Sequence, residues 1–146
     1  MNTFDSRLNI SWWALKIGLG LGPIIAGIDK YFNKLADWTM YLSPLATKII
    51  PLSASTFMHV VGAIEILAGI VVLSRRTRIG GYIVALWLLG IAVNLLTTGM
   101  FYDLAMRDVE IAIGAFALAQ LSALRDEVPV AQRRQDSPSA QFAVNR

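Results

Sequence analysis

Residues 56–73, TFMHVVGAIEILAGIVVL, limit what this chain can become more than any other stretch. A spanning helix needs roughly 17–25 mostly apolar residues, and this run is long enough. It carries a single acidic residue, Glu65, at its middle. A carboxylate at the centre of a bilayer costs ~2.5–3.5 kcal/mol on insertion scales. Such a group persists where it faces protein or a watery cavity and has a partner. The question for the rest of the chain is what surrounds Glu65.

Composition points the same way. Of 146 residues, 55% are hydrophobic and only 16% charged, with a mean hydropathy of +0.56. A soluble domain carries about 25% charged residues. The charges are segregated, which leaves long stretches nearly free of them. That pattern predicts an all-α integral membrane protein, and the length allows one bundle of four helices. There is no cysteine and one histidine, His59. Thiol redox chemistry and a two-histidine haem site are excluded within this chain, and no metal site is expected. The net charge of +3 comes from residues at membrane flanks, so it does not indicate nucleic acid. The N-terminal apolar stretch runs on too long for a signal peptide and lacks an A-x-A site, so it reads as the first membrane helix.

Residues 1–11 form a polar lead, 12–124 the bundle, and 125–146 a polar tail expected to be disordered. Trp12 and Trp13 suit an interfacial belt, and Lys16 can snorkel back to it. The first helix runs from residue 12 to about 32, with Gly18, Gly20, Gly22, Pro23 and Gly27 inside. It reads either as a kinked packing helix or as a broken helix lining a site. Residues 29–55 form the longest connection. Leu35, Trp38, Tyr41, Leu42 and Leu45 follow helical spacing, which predicts an amphipathic segment in the interface, either a belt or a lid. Ser43-Pro44 can start a short turn that Pro51 ends.

Ser53 or Ser55 caps the second helix. Gly62 and Gly69 share the face of Glu65, with Met58 and Val72 extending it. His59 is turned about 120° away and reads as an interface residue. Arg75, Arg76 and Arg78 occupy a tight loop. The third helix spans 79–96, opens on Gly80-Gly81, and holds Trp87 inside it and Asn94 near its far end. The fourth spans 102–124. Asp103, Arg107, Glu110 and Gly114 fall on one of its faces, with Asp108 about 100° round from Arg107. Lysine and arginine placement predicts cytoplasmic termini and an outward-facing long connection.

Rise along the helices compares depths. Glu65 lies ~13 Å and Glu110 ~10 Å from the outer end at 1.5 Å per residue. Lys30, Asn94, Arg107 and Asp108 fall in the same outer half, whereas the inner half is apolar apart from Lys16. Two readings stay open. One is a satisfied network in which Arg107 pairs with Glu110 or Glu65 and Asn94 fills the remaining bonds. The other is an outward-facing polar pocket. There Lys30, Asn94, Arg107 and Asp108 bind a ligand, and Glu65 or Glu110 carries a proton. On the second reading, Glu65→Gln abolishes activity and leaves the protein folded.

Four segments carry a resemblance: GLGLGPIIAGIDKYFN, VGAIEILAGIVVL, LGIAVNLL and YDLAMRDVEIAIGAFALA. Together they resemble the DoxX family of small four-helix bacterial membrane proteins, over residues 12–124. Its most specific parts are Gly27-x-x-Lys30, Glu65 with its flanking glycines, and the Arg107-Asp108 pair. The resemblance implies a bacterial inner-membrane protein without a covalently bound cofactor. It further implies an accessory subunit of a redox system, with quinone as ligand and an oxidoreductase as partner. If that system handles thiols, they come from a substrate or partner. Homo-oligomerisation is compatible with this reading. Two other classes remain beside it: a small-solute binding or transport protein, and a purely structural membrane anchor.

Overall fold

In the computed structural model, the backbone is described for residues 3–135 and side chains for residues 6–126. The described chain is helical, with no strand among its described residues. Its elements are α1 (Thr3–Asp29), a 3₁₀ turn (Trp38–Tyr41), α2 (Pro44–Ile49), α3 (Ala54–Leu73), α4 (Thr77–Thr97) and α5 (Tyr102–Gln135). The caps explain several boundaries. Ser53 accepts from the Thr56 N–H and opens α3, and Ser43 accepts from the Leu45 N–H ahead of Pro44 and opens α2. Gly99, with φ of 73°, makes the left-handed step between α4 and α5.

Three expectations need correction. The polar lead is helical from Thr3, because no proline or glycine interrupts residues 3–17 and each added residue costs a growing helix little. The helix of α1 is also unbroken through Pro23, which spanning helices tolerate, so it is not the broken helix of a transporter site. Residues 125–135, expected in a disordered tail, continue α5. Arg, Glu, Ala and Gln favour the continuation, which passes through Pro129. The rest of that tail, 136–146, lies outside the described residues.

The four long helices run antiparallel in sequence, α3 against α1 and α4, and α5 against α4 and α1. Glycines set the closest approaches. A Cβ on Gly62 would stand 2.6 Å from the Gly27 carbonyl oxygen, and one on Gly80 would stand 2.6 Å from the Val72 nitrogen. A Cβ on Gly69 would meet the Gly20 carbonyl oxygen. Each obstacle is backbone, which cannot swing aside as a side chain can. Small residues at such crossings let the helices touch along their spines. The core is correspondingly fine-grained: Leu19, Ala68, Val72, Val84, Ala115 and Leu118 at one level, and Ala92, Leu95 and Ala105 at another.

Polarity is inverted relative to a soluble bundle. Leu67, Leu86, Val93 and Ile113 are each more than 60% exposed, while Lys16, Lys30, Glu65, Asp108 and Ser122 are buried. A soluble protein rarely leaves apolar surface that continuous. Segments of α1 (Ser6–Asp29), α3 and α4 are each long and apolar enough to cross a membrane. The uncharged run of α5 covers only residues 111–124, ~21 Å at 1.5 Å per residue, against a hydrocarbon core of ~30 Å.

These contacts separate the glycines into two groups. Gly62→Ala is expected to destabilise the bundle by about 1–3 kcal/mol, as overpacking does. A Cβ on Gly18 would meet nothing within 4 Å, so Gly18→Ala is expected to be neutral or slightly stabilising. Thermal unfolding of both variants in detergent checks the contrast; equal effects would contradict the assigned contact.

Candidate functional site

The site begins with one ion pair. Lys30 follows α1 directly, and Glu65 stands midway along α3. Lys30 Nζ donates to Glu65 Oε2 at 2.6 Å, with the side chains 4% and 7% exposed. The glycines make this pair possible. A Cβ on Gly27 would lie 3.2 Å from the Glu65 Cβ, and one on Gly62 would lie 3.2 Å from the Lys30 Cβ. Close approach of α1 and α3 therefore brings the two charged side chains together just where neither backbone carries a side chain in the way.

The connection covers the pair. Asp29, the last residue of α1, organises it. Its Oδ1 accepts from the Lys34 N–H at 3.1 Å. Its Oδ2 accepts from the Leu35 N–H at 3.0 Å and from Trp38 Nε1 at 2.8 Å. Asn33 takes the left-handed conformation (φ 49°) that the tight reversal after the helix needs, which asparagine tolerates. Trp38 is thereby placed with its ring centroid 3.7 Å from Lys30 Nζ, a cation–π contact. The expected amphipathic segment forms a 3₁₀ turn, because Asp29 binds the backbone that a longer helix would have used for itself, and the short turn expected at Ser43-Pro44 is α2.

Asn94 pins the far end of this cover. Its Nδ2 donates to Tyr41 O at 2.7 Å, and its Oδ1 accepts from the Ser43 N–H at 3.1 Å. Thr97 Oγ1 adds a bond to Ser43 Oγ at 2.9 Å. At the other margin Tyr31 stacks on His59 with centroids 4.7 Å apart, and its hydroxyl donates to His59 O. The single histidine is thus an element of the rim.

A second carboxylate approaches from α5. Asp108 is 4% exposed and lies within electrostatic reach of both Lys30 and Glu65. Arg107 donates to its Oδ1 from Nη2 at 3.0 Å and from Nε at 3.2 Å, with the Arg107 side chain 59% exposed. From α4 comes Trp87. Its indole nitrogen is buried and directed at the Glu65 carboxylate, yet the geometry falls short of a hydrogen bond and no other partner meets it among the described residues. Leaving a buried donor unpaired costs ~1–3 kcal/mol.

Lys30 and Glu65 are therefore in contact, with Asp108 within electrostatic reach of both. Asn94 is close but spends its amide on the connection. Arg107 and Glu110 need correction: both are exposed, and Arg107 pairs with Asp108 rather than with Glu110 or Glu65. The inward face of α5 runs through Ala105, Asp108, Ala112, Ala115 and Ala119. At 3.6 residues per turn, position 107 is about 100° and position 110 about 160° round from Asp108. Lys30, which the sequence did not single out as a partner for Glu65, is the one it has. Trp38 and Trp87 were also missed as site residues. A tryptophan in mid-span was the available signal for the second, since its N–H needs a partner there.

The pair also alters what Glu65 substitutions report. Glu65→Ala strands Lys30 and is expected to cost about 3–5 kcal/mol, whereas Lys30→Met/Glu65→Leu regains most of that loss. Unfolding midpoints of the single and double variants check this, and an additive double variant would exclude a coupled pair. Activity loss in Glu65→Gln alone does not separate chemistry from folding.

No family profile, no curated protein and no solved structure matches this chain.

Proposed function

We propose that α1, α3, α4 and α5 all cross a bacterial inner membrane, with both termini cytoplasmic, and that the Lys30–Glu65–Asp108 cluster at the outer end binds a quinone headgroup. The protein then serves as an accessory membrane subunit of a redox system, the reading the DoxX resemblance suggests. The inverted polarity supports the membrane part. Arg107 and Glu110, turned outward on α5, extend its short uncharged run by snorkelling. Arg7, Arg75, Arg76, Arg78 and Arg125 at the N-terminal end support the orientation.

The observation that carries the site is Trp87 Nε1, a buried donor directed at Glu65 but short of a hydrogen bond to it or to any other described residue. A quinone carbonyl oxygen is an acceptor of the kind such a donor takes. Lys30 has further N–H donors beyond the one that Glu65 takes. Glu65 is placed to take and pass a proton at the carboxylate oxygen that Lys30 leaves free, Oε1, while Oε2 keeps the Lys30 N–H. Trp38 closes the Lys30 side from the connection. Quinone, when bound, supplies two-electron, two-proton redox chemistry, with electrons exchanged with the partner oxidoreductase.

The closed Lys30–Glu65 contact supports a second reading, a structural anchor in which the pair only fixes α1 to α3. The two readings part on ligand content. Protein extracted gently from its own membranes is expected to carry quinone, and Trp87→Phe is expected to weaken its retention about two- to tenfold, the value of one lost hydrogen bond. Quinone analysis and native mass spectrometry of the same samples make the check. Wild-type protein that is folded, free of quinone and without an oxidoreductase companion would favour the anchor.

A further inference from the structure

The end of the bundle away from Glu65 holds a second polar cluster that quinone binding leaves unused. Trp12 is buried and donates from Nε1 to Ser122 Oγ at 2.7 Å, tying α1 to α5. Ser122 donates in turn to Leu118 O at 2.8 Å, which locks the indole in place. Two cations converge on this one ring. Lys16 Nζ lies 4.8 Å from its centroid, and the Arg125 guanidinium carbon lies 4.1 Å away. Lys16 also approaches Trp13 at 5.5 Å and donates to Ser74 O at 2.9 Å, beyond the last turn of α3. Arg125 donates to Asn9 Oδ1 at 2.6 Å.

Both polar partners, Ser74 O and Asn9 Oδ1, are neutral. Among the described residues no carboxylate pairs with either cation, and the two are close enough to repel one another. Cation–π contact, ~0.5–2 kcal/mol each, offsets part of that repulsion. An anion shared between them removes it. The position suits one. Lys16 is buried while Arg125 is exposed, so the pair reaches from the bundle interior to its edge. Next to it, Trp13, Ile17 and Leu21 form an exposed apolar stripe at four-residue spacing down α1.

We propose that this end binds the phosphodiester of one anionic phospholipid, held between Lys16 and Arg125, with an acyl chain along Trp13, Ile17 and Leu21. Basic pockets between helices at the cytoplasmic face take such headgroups. The apolar stripe selects a lipid over free phosphate, because only the lipid brings a chain to cover it. The site rests on the membrane part of the proposed function and is independent of its quinone part.

The test mixes delipidated full-length protein with phosphatidylglycerol and phosphatidylcholine of identical acyl chains and reads the retained lipid by native mass spectrometry. Wild type is expected to retain phosphatidylglycerol preferentially. Arg125→Gln is expected to lower that preference about fivefold, the effect of one cation beside an anionic headgroup, with thermal unfolding unchanged. Lys16→Gln is expected to do the same; since Lys16 also holds the end of α3, the exposed Arg125 carries the test if that variant does not fold. Arg75→Gln/Arg76→Gln, in the same basic end but off the cluster, is expected to keep the preference. Equal retention of the two lipids would overturn the proposal. So would an equal loss in the Arg75/Arg76 variant, which would mean bulk charge, or displacement of the lipid by inorganic phosphate. A chain that fails to enter phosphatidylglycerol vesicles would overturn the membrane reading as well, whereas an inserted chain without lipid preference overturns this proposal alone.

Discussion

A carboxylate inside an apolar helix has to be compensated, and much of this structure follows from how Glu65 is. The compensation is Lys30, at the end of the preceding long helix. For the pair to close at 2.6 Å, α1 and α3 must nearly touch, and Gly27 and Gly62 permit that contact. For Lys30 to stay dry, something must cover it, and Trp38 does. For Trp38 to be there, the connection must fold back on the end of α1, and the Asp29 carboxylate gathers it by three bonds. One electrostatic requirement thus runs through a helix crossing, a helix terminus and a loop.

The pairing also sets a limit on inference from charge alone. A buried ion pair stabilises little by itself, because desolvation of both charges consumes most of their attraction. Its partners are held together more by geometry than by net energy. Two further polar groups stand near the pair: Asp108, which Arg107 holds by two hydrogen bonds, and the Trp87 N–H, directed at Glu65 but short of a hydrogen bond.

The two ends of the bundle solve opposite problems. One holds the Lys30–Glu65 pair with the Arg107–Asp108 pair beside it, covered by a connection. The other holds Lys16 and Arg125 around Trp12, open at its edge. Between them the interior is built of Ala, Val, Leu and Gly, which lets four helices approach closely with no polar group to satisfy. Buried polar chemistry is thereby gathered at two separate levels of the bundle.

The amino-acid sequence by itself determined the class of fold. Hydrophobic run lengths marked the long helices, and the serines before α2 and α3 marked their starts. The spacing of Met58, Gly62, Glu65, Gly69 and Val72 placed all five on one face, and all five are buried. Lys30, Glu65 and Asp108 stood out as candidates because charges in apolar runs are few, and all three are buried. Tertiary structure decided who pairs with whom. Lys30 reaches Glu65 across 35 positions only because two helices cross at glycine, a distance that no local pattern encodes. It also decided the fates of Arg107 and Glu110. Their helical spacing with Asp103 identified a face of α5, but a helix has no inward side until its neighbours are in place, and those neighbours packed against Asp108 instead.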